Sequence, residues 1–252
     1  MGKLVFVIYA ISMLFYWDLS MKTRDAISRR WARSYLQRGL PVWCRQLFAV
    51  ANLLTGFHIE YSSQLTGPPP SPCLVVSNHQ SLIDIVAIAA ALPRLDLRFI
   101  AKRELRRGFP GASEALRLQQ HAMVPRSGNV EVGLSEIRRI GRMAREKGVS
   151  PVVFPEGTRS RGGKVLPFRS GAVRVLMDEV RLPILVCAVH GGYRLRYLRE
   201  IVTRFGQSIY RVRTLARLPE PTDRHSLNER IRHAERLIRE QIERWREEEL
   251  HA

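Results

Sequence analysis

Hydrophobic and polar positions divide the chain into three kinds of stretch. The first is an unbroken apolar run over residues 4–17 (LVFVIYAISMLFYW), followed by a patterned one over residues 41–54 (PVWCRQLFAVANLL). In the latter, Val42, Leu47, Val50, Leu53 and Leu54 fall near one side of a helix. The second kind begins after Gly67-Pro68-Pro69-Pro70-Ser71-Pro72, a stiff break poor in backbone donors. Beyond it, short β-rich runs alternate with helical ones. Residues 73–77, 97–101, 152–154 and 184–189 read as strands, and the strand pattern returns over residues 208–218. Residues 82–92 (ended by Pro93), 130–147 (stopped by Gly148) and 172–180 read as helices. The third kind is a charged C-terminal helix to about residue 249, which Ser226-x-x-Glu229 opens as a capping box. The alternation predicts an α/β sheet layered with helices. The Pro-rich break places a helical, membrane-anchoring segment at residues 1–66 and the main domain at residues 67–252.

The first apolar run has 14 residues, about 21 Å as a helix against a hydrocarbon core of about 30 Å. It reads as a membrane anchor, half-inserted or snorkelled, with a signal peptide and a buried core helix as competing readings. The WDLSMK that follows offers no small-residue cleavage site. Tyr9, Tyr16 and Trp17 carry rings that settle at headgroup depth. Lys22, Arg24, Arg29, Arg30, Arg33, Arg38 and Arg45 then suit the anionic cytoplasmic face of the inner membrane. The second apolar stretch fits an interfacial helix or one packed on the domain equally well.

Charge narrows the partners without choosing one. Lys and Arg number 41 against 23 Asp and Glu, a formal +18, which implies nucleic acid, an acidic membrane or phosphorylated substrates. Arginine supplies most of it, and arginine forks onto phosphate, although arginine richness can also be a compositional habit. The basic residues lack the aromatic interleaving of nucleic-acid stacking platforms. Cys44, Cys73 and Cys187 show no C-x-x-C spacing, as expected of buried thiols in a reducing compartment. Neither a G-x-S-x-G elbow nor a paired-Cys or H-E-x-x-H metal motif occurs.

Two segments carry candidate chemistry. SNHQSLID (residues 77–84) lies where a strand meets a helix N-terminus. On one continuous helix His79 and Asp84 would diverge by about 140°, so they meet only if His79 lies in the turn and Asp84 in the first helical turn. There the carboxylate can hold one imidazole nitrogen and leave the other to accept a proton. The competing reading makes Asp84 a helix cap through Ser81-x-x-Asp84. FPEGTRS (residues 154–160) follows another strand. Glu156 can accept from hydroxyls, Gly157 admits a ligand to the backbone, and Arg159 can fork onto a phosphate. The competing reading is a surface turn with a Glu–Arg pair. Gly157 to Val165 misses P-loop spacing by one residue and lacks its Ser/Thr. His190 follows a strand end and reads as a structural histidine.

Together NHQSLID and FPEGTRS, about seventy residues apart, resemble the motifs of the glycerolipid acyltransferase family. Asn78, His79 and Asp84 match its Asn-His-x4-Asp block, Phe154 to Ser160 its Phe-Pro-Glu-Gly-Thr-Arg-Ser block, and Leu182-Pro183-Ile184 its Val-Pro-Val-like strand. Lys102, Glu104, Leu105 and Arg126 match part of the intervening block. There Arg106 to Gly111 replaces an apolar run, and Val124-Pro125-Arg126 replaces Ile-Asp-Arg. The resemblance implies a central mixed sheet flanked by helices, preceded by N-terminal membrane-associated helices. It implies transfer of a fatty acyl group from acyl-CoA or acyl-carrier protein to the hydroxyl of 1-acyl-glycerol-3-phosphate, without a metal or resident cofactor. His79 and Asp84 would be catalytic, and Asn78, Lys102, Arg126, Glu156, Gly157, Thr158 and Arg159 would bind substrate. Because the intervening block departs most, another lysolipid acceptor, such as a lyso-ornithine lipid or lysophospholipid, is the alternative. A non-catalytic membrane-binding relative and a nucleic-acid-binding protein are the rival classes.

Overall fold

The computed structural model describes residues 2–106, 108–125, 130–195, 200 and 209–251. Two long helices come first, α1 (Gly2–Ile27) and α2 (Arg29–Thr55), packed together and joined at Ser28. The Ser28 hydroxyl accepts the Trp31 N–H at 3.4 Å, satisfying one of the free amides that open α2. Helix α1 is 26 residues long, well beyond the apolar run. Its polar end continues the helix because Asp18 accepts the Gly111 N–H at 3.0 Å and Asp25 pairs with Arg117. Along α1, Leu4, Ile8, Ile11, Phe15 and Leu19 form an exposed apolar stripe at helical spacing. Helix α2 runs through Pro41 and buries Cys44, Phe48 and Ala51, so the second apolar stretch packs on the domain while Val42 and Leu53 stay exposed.

Among the described residues seven strands follow: β1 (His58–Ser63), β2 (Leu74–Ser77), β3 (Leu97–Lys102), β4 (Ala122–Val124), β5 (Ser150–Val153), β6 (Ile184–His190) and β7 (Ile209–Leu218). They form one sheet in the order β1-β7-β6-β2-β5-β3-β4. Neighbours are parallel except β6 and β7, which makes the sheet mixed, as expected. The helices among them are α3 (Ile83–Ala91), α4 (Ala112–Leu118), α5 (Val130–Lys147), α6 (Gly171–Glu179) and α7 (Arg224–His251).

Strands β2, β5 and β6 are buried at every position, the mark of a sheet covered on both faces. Side-chain alternation sends Leu74, Val76, Val153 and Val186 toward Ile140, Leu176, Ile238 and Trp245 of α5, α6 and α7. It sends Val75, Val152, Leu185 and Val189 toward Phe48, Phe57, Ala87 and Ile88 on the other face. Each fully buried side chain of this kind contributes about 1.5–3 kcal/mol, so the strand ends are rigid mounts for the loops beyond them.

Four elements depart from the sequence pattern. Strand β1 lies ahead of the Pro-rich break yet pairs in parallel with β7, so the sheet begins before residue 67. Strand β4 and helix α4 were also not expected. Helix α7 is capped one turn earlier than Ser226-x-x-Glu229 implies. Asp223 Oδ1 accepts the Ser226 N–H at 2.7 Å and the Ser226 hydroxyl accepts the Asp223 N–H at 3.1 Å, so the reciprocal box is Asp223-x-x-Ser226.

Candidate active site

Register brings the two motifs together. Strands β2 and β5 are parallel neighbours with Val76 opposite Val153, so Asn78-His79 and Pro155-Glu156 leave the sheet side by side. This is the carboxyl edge of the parallel strands, where open α/β sheets place their sites. Lys102 ends β3 on the same edge and is exposed.

His79 lies in the turn and α3 begins at Ile83, the arrangement the five-residue spacing requires. His79 Nδ1 and Asp84 Oδ2 are 2.7 Å apart. The same oxygen accepts the Gln80 and Ser81 N–H groups at 2.6 and 2.9 Å. Asp84 is therefore both a cap of the turn and the holder of the imidazole. Its side chain is 0% exposed, while that of His79 keeps 16% of its surface open. Because a carboxylate only accepts, Nδ1 carries the proton and Nε2 presents its lone pair. The Phe154 ring stacks on the imidazole, 4.2 Å between centroids and 16° between planes, fixing the ring orientation.

The second motif secures the backbone of the first. Glu156 Oε1 accepts the His79 N–H at 2.7 Å, and Oε2 accepts the Leu166 N–H at 2.9 Å. Ser160 N–H donates to the His79 carbonyl at 2.8 Å. Burial pushes the Glu156 carboxyl up to about 7, against the lowering effect of the two amide donors. Gly157 N–H closes a turn onto the Phe154 carbonyl at 3.1 Å, with a φ of 69° that favours glycine. Gly157 and Thr158 are exposed, and Arg159 is partly so.

Two residues expected on substrate are engaged elsewhere. The Glu156 carboxylate, 3% exposed, is occupied by the two backbone amides and reaches no cleft surface. Asn78, 1% exposed, clasps β6: its Nδ2 donates to the Val189 carbonyl at 2.8 Å and its Oδ1 accepts the Val189 N–H at 2.9 Å. That side chain extends the β2–β6 ladder by one rung. Arg126 lies outside the described residues. His190 is structural, as the sequence suggested. It is fully buried against Trp245 with Nε2 3.1 Å from Glu249 Oε1, and burial pushes it down to about 4.

The site also contains groups that neither motif announces. The Tyr210 hydroxyl of β7 bonds Asp84 Oδ1. The Ser81 hydroxyl donates to the Leu195 carbonyl at 2.6 Å, and Gln80 Oε1 accepts the Tyr193 N–H at 3.3 Å. The signal available in the sequence was Gly191-Gly192 after β6, which admits this second layer. Among the described residues no group of three or more His, Cys, Asp or Glu could hold a metal ion.

A seven-stranded mixed sheet among the described residues presents a histidine–carboxylate pair beside a Pro-Glu-Gly-Thr-Arg loop. The chain belongs to the acyltransferase family, whose model matches residues 58–190. Bovine 1-acyl-sn-glycerol-3-phosphate acyltransferase alpha is 32% identical over 185 residues, 72% of this chain and 62% of that protein. The coconut (Cocos nucifera) 1-acyl-sn-glycerol-3-phosphate acyltransferase is 33% identical over 120 residues, 48% of this chain and 38% of that protein. The chain thus spans less than two thirds of the length of these curated relatives. The fold is that of the crystal structure of the 1-acyl-sn-glycerophosphate (LPA) acyltransferase PlsC from Thermotoga maritima, at a TM-score of 0.73 and 22% identity over 97% of this chain and 95% of that one.

Proposed function

We propose that the protein transfers a fatty acyl group from an acyl thioester to the free hydroxyl of 1-acyl-glycerol-3-phosphate, giving phosphatidic acid. The observation that carries the reading is the 2.7 Å contact of His79 Nδ1 with a buried Asp84, which leaves Nε2 as a base on a partly open ring. The acceptor hydroxyl oxygen attacks the thioester carbonyl carbon while its proton passes to Nε2. The tetrahedral intermediate then breaks its C–S bond, and the imidazolium returns the proton to the leaving thiolate. Proton transfer of this kind is worth about 10²–10⁴ in rate. Asp84 stabilises the cation without being protonated itself. The donor is acyl-CoA or acyl-carrier protein.

Lys102, Gly157, Thr158 and Arg159, on the same edge as His79, form the acceptor's binding face. A guanidinium and an ammonium suit a phosphomonoester, and exposed Gly157 lets the headgroup approach the backbone. The exposed stripe on α1 supports a membrane location. Helix α1 is long and apolar enough to cross a bilayer by length and composition, about 39 Å at 1.5 Å per residue. The basic residues after it favour the cytoplasmic face of the inner membrane.

An acceptor panel tests the assignment, with detergent-purified protein, one labelled acyl thioester and products read by mass. Lysophosphatidic acid is expected to be the preferred acceptor. Preferential acylation of a lyso-ornithine lipid or a lysophospholipid with a larger head would reassign the substrate, and the altered segment around Arg106 to Gly111 gives that alternative its weight.

A further inference from the structure

Asp84 faces in two directions. Oδ2 is surrounded by donors from its own turn, the His79 ring and the Gln80 and Ser81 amides at 2.7, 2.6 and 2.9 Å. Oδ1 instead meets the hydroxyl of Tyr210, 126 positions further along the chain. We propose that Tyr210 is a positioning residue for acyl transfer: its phenol holds Oδ1 so that Oδ2 stays aimed at His79. The inference rests on the acyl-transfer reading above and adds to it a group from a strand outside both motifs.

The physical need is specific. A carboxylate rotates about a soft terminal torsion, and hydrogen bonds gathered on one oxygen leave that rotation poorly defined. A second anchor on the other oxygen removes the freedom. Tyr210 suits the task because it is itself immobile: it is 1% exposed, its backbone lies between β1 and β6, and its ring packs on Phe57 at 6.2 Å between centroids. The Asp84 side chain is 0% exposed, so each donor also offsets the cost of burying its charge. Burial and the Asp84 charge hold the phenol well above its ordinary range, which keeps it a donor.

The chain around Tyr210 is shaped for this approach. The register of β6 with β7 ends at His190 opposite Arg211, which places Gly191 beside Tyr210. Gly191 has a φ of 92°, and a Cβ there would lie 2.5 Å from the Ile209 carbonyl oxygen and 3.2 Å from Tyr210 Cα. A Cβ on Gly192 would lie 2.9 Å from Asp84 Oδ1. The two glycines leave open the space in which strand and carboxylate meet. The other titratable groups around the pair are Glu156 after β5, Cys187 on β6 and Tyr61 on β1. Cys187 is pushed up to about 12 and Tyr61 also upward, chiefly by burial. Of these three, only Glu156, at about 7, titrates near neutral pH.

The test compares Tyr210→Phe with the wild type, full chain in detergent, in kcat, both KM values, thermal midpoint and the pH profile of kcat/KM. For a folded variant kcat should fall about tenfold to a hundredfold, the loss of one hydrogen bond to a charged group, with each KM within about twofold. The acid limb should move to higher pH, because a carboxylate short of a donor is more basic and holds the imidazolium more tightly. A merely structural tyrosine would lower the amount of folded enzyme and leave the limb in place. A folded variant with wild-type kcat and an unmoved limb overturns the proposal. If Tyr210→Phe does not fold, 3,5-difluorotyrosine in place of Tyr210 supplies a stronger donor and should shift the limb to lower pH; an unmoved limb again overturns it. A wild type inactive on every lysolipid would instead count against the acyl-transfer reading itself.

Discussion

Glu156 holds the backbone of His79. Its Oε1 accepts the His79 N–H at 2.7 Å, and its Oε2 accepts the Leu166 N–H at 2.9 Å. The carboxylate of the Phe-Pro-Glu-Gly-Thr-Arg-Ser loop thereby ties the strand ends of β2 and β5 together next to His79. In Glu156→Gln an amide nitrogen must face one of the two N–H donors, so the turn carrying His79 loosens. The expected result is a kcat lower by about tenfold to a hundredfold with the acceptor KM unchanged. A raised acceptor KM with normal kcat would return Glu156 to the substrate.

Asn78 offers a contrasting case, in which stability rather than turnover should respond. Its side chain satisfies both the N–H and the C=O of Val189 inside the sheet. Asn78→Ala strands both, at about 1–3 kcal/mol for each buried group left unpaired. Denaturant unfolding should register a loss of that size. A stability equal to wild type would mean that water replaces the clasp.

Arg159 occupies the same loop as Glu156 but faces outward in part. Arg159→Ala should chiefly raise the acceptor's KM, by about tenfold to 150-fold for a lost charged hydrogen bond worth about 1.5–3 kcal/mol. Steady-state kinetics at fixed thioester would show it. Unchanged acceptor dependence would move phosphate binding to other cations on that edge.

His121 gives the fold an acid-sensitive point away from the chemistry. Its Nδ1 accepts the Phe99 N–H at 2.8 Å while Nε2 lies 2.9 Å from Gln119 Oε1, so the folded state requires the neutral ring. Burial, with the charges of Arg98 and Arg139 adding to it, pushes the group down to about 3 from 6.5. Stability from a depressed histidine is complete above 6.5 and is lost as pH falls toward and through about 3, on the order of 5 kcal/mol in all. Glu156 works in the opposite sense: raised from 4.5 to about 7, it contributes stability that is lost as pH rises through that window. Comparing wild type with His121→Gln isolates the histidine. The stability difference between them should shrink as pH drops from 7 to 3. A difference independent of pH would remove His121 as the titrating group.

The parts of the molecule legible in the sequence are those whose signal is local. Helix α5 lies over the predicted residues because its apolar face repeats over 18 residues. Strands β2, β5 and β6 announced themselves as apolar runs because both faces are covered. Five-residue spacing across a strand–helix bend allowed the His79–Asp84 contact, and the resemblance of the two motifs favoured it over a plain helix cap. Strand β1 was hidden, since HIEYSS is largely exposed at the sheet edge and has no burial pattern to read. The length of α1 was hidden too, because its polar end is held by partners near residues 111 and 117, far away in the chain. The same distance concealed Tyr210. The partners of Asn78 and Glu156 were hidden for another reason: a motif names which residues matter, but only the folded chain shows what each side chain meets.

The most direct measurement of the central claim is turnover by His79→Ala with lysophosphatidic acid and an acyl thioester, alongside its thermal midpoint. A base at Nε2 predicts a fall in kcat of at least about 10²-fold in a protein that melts as the wild type does. Turnover close to wild type in that folded variant would contradict it.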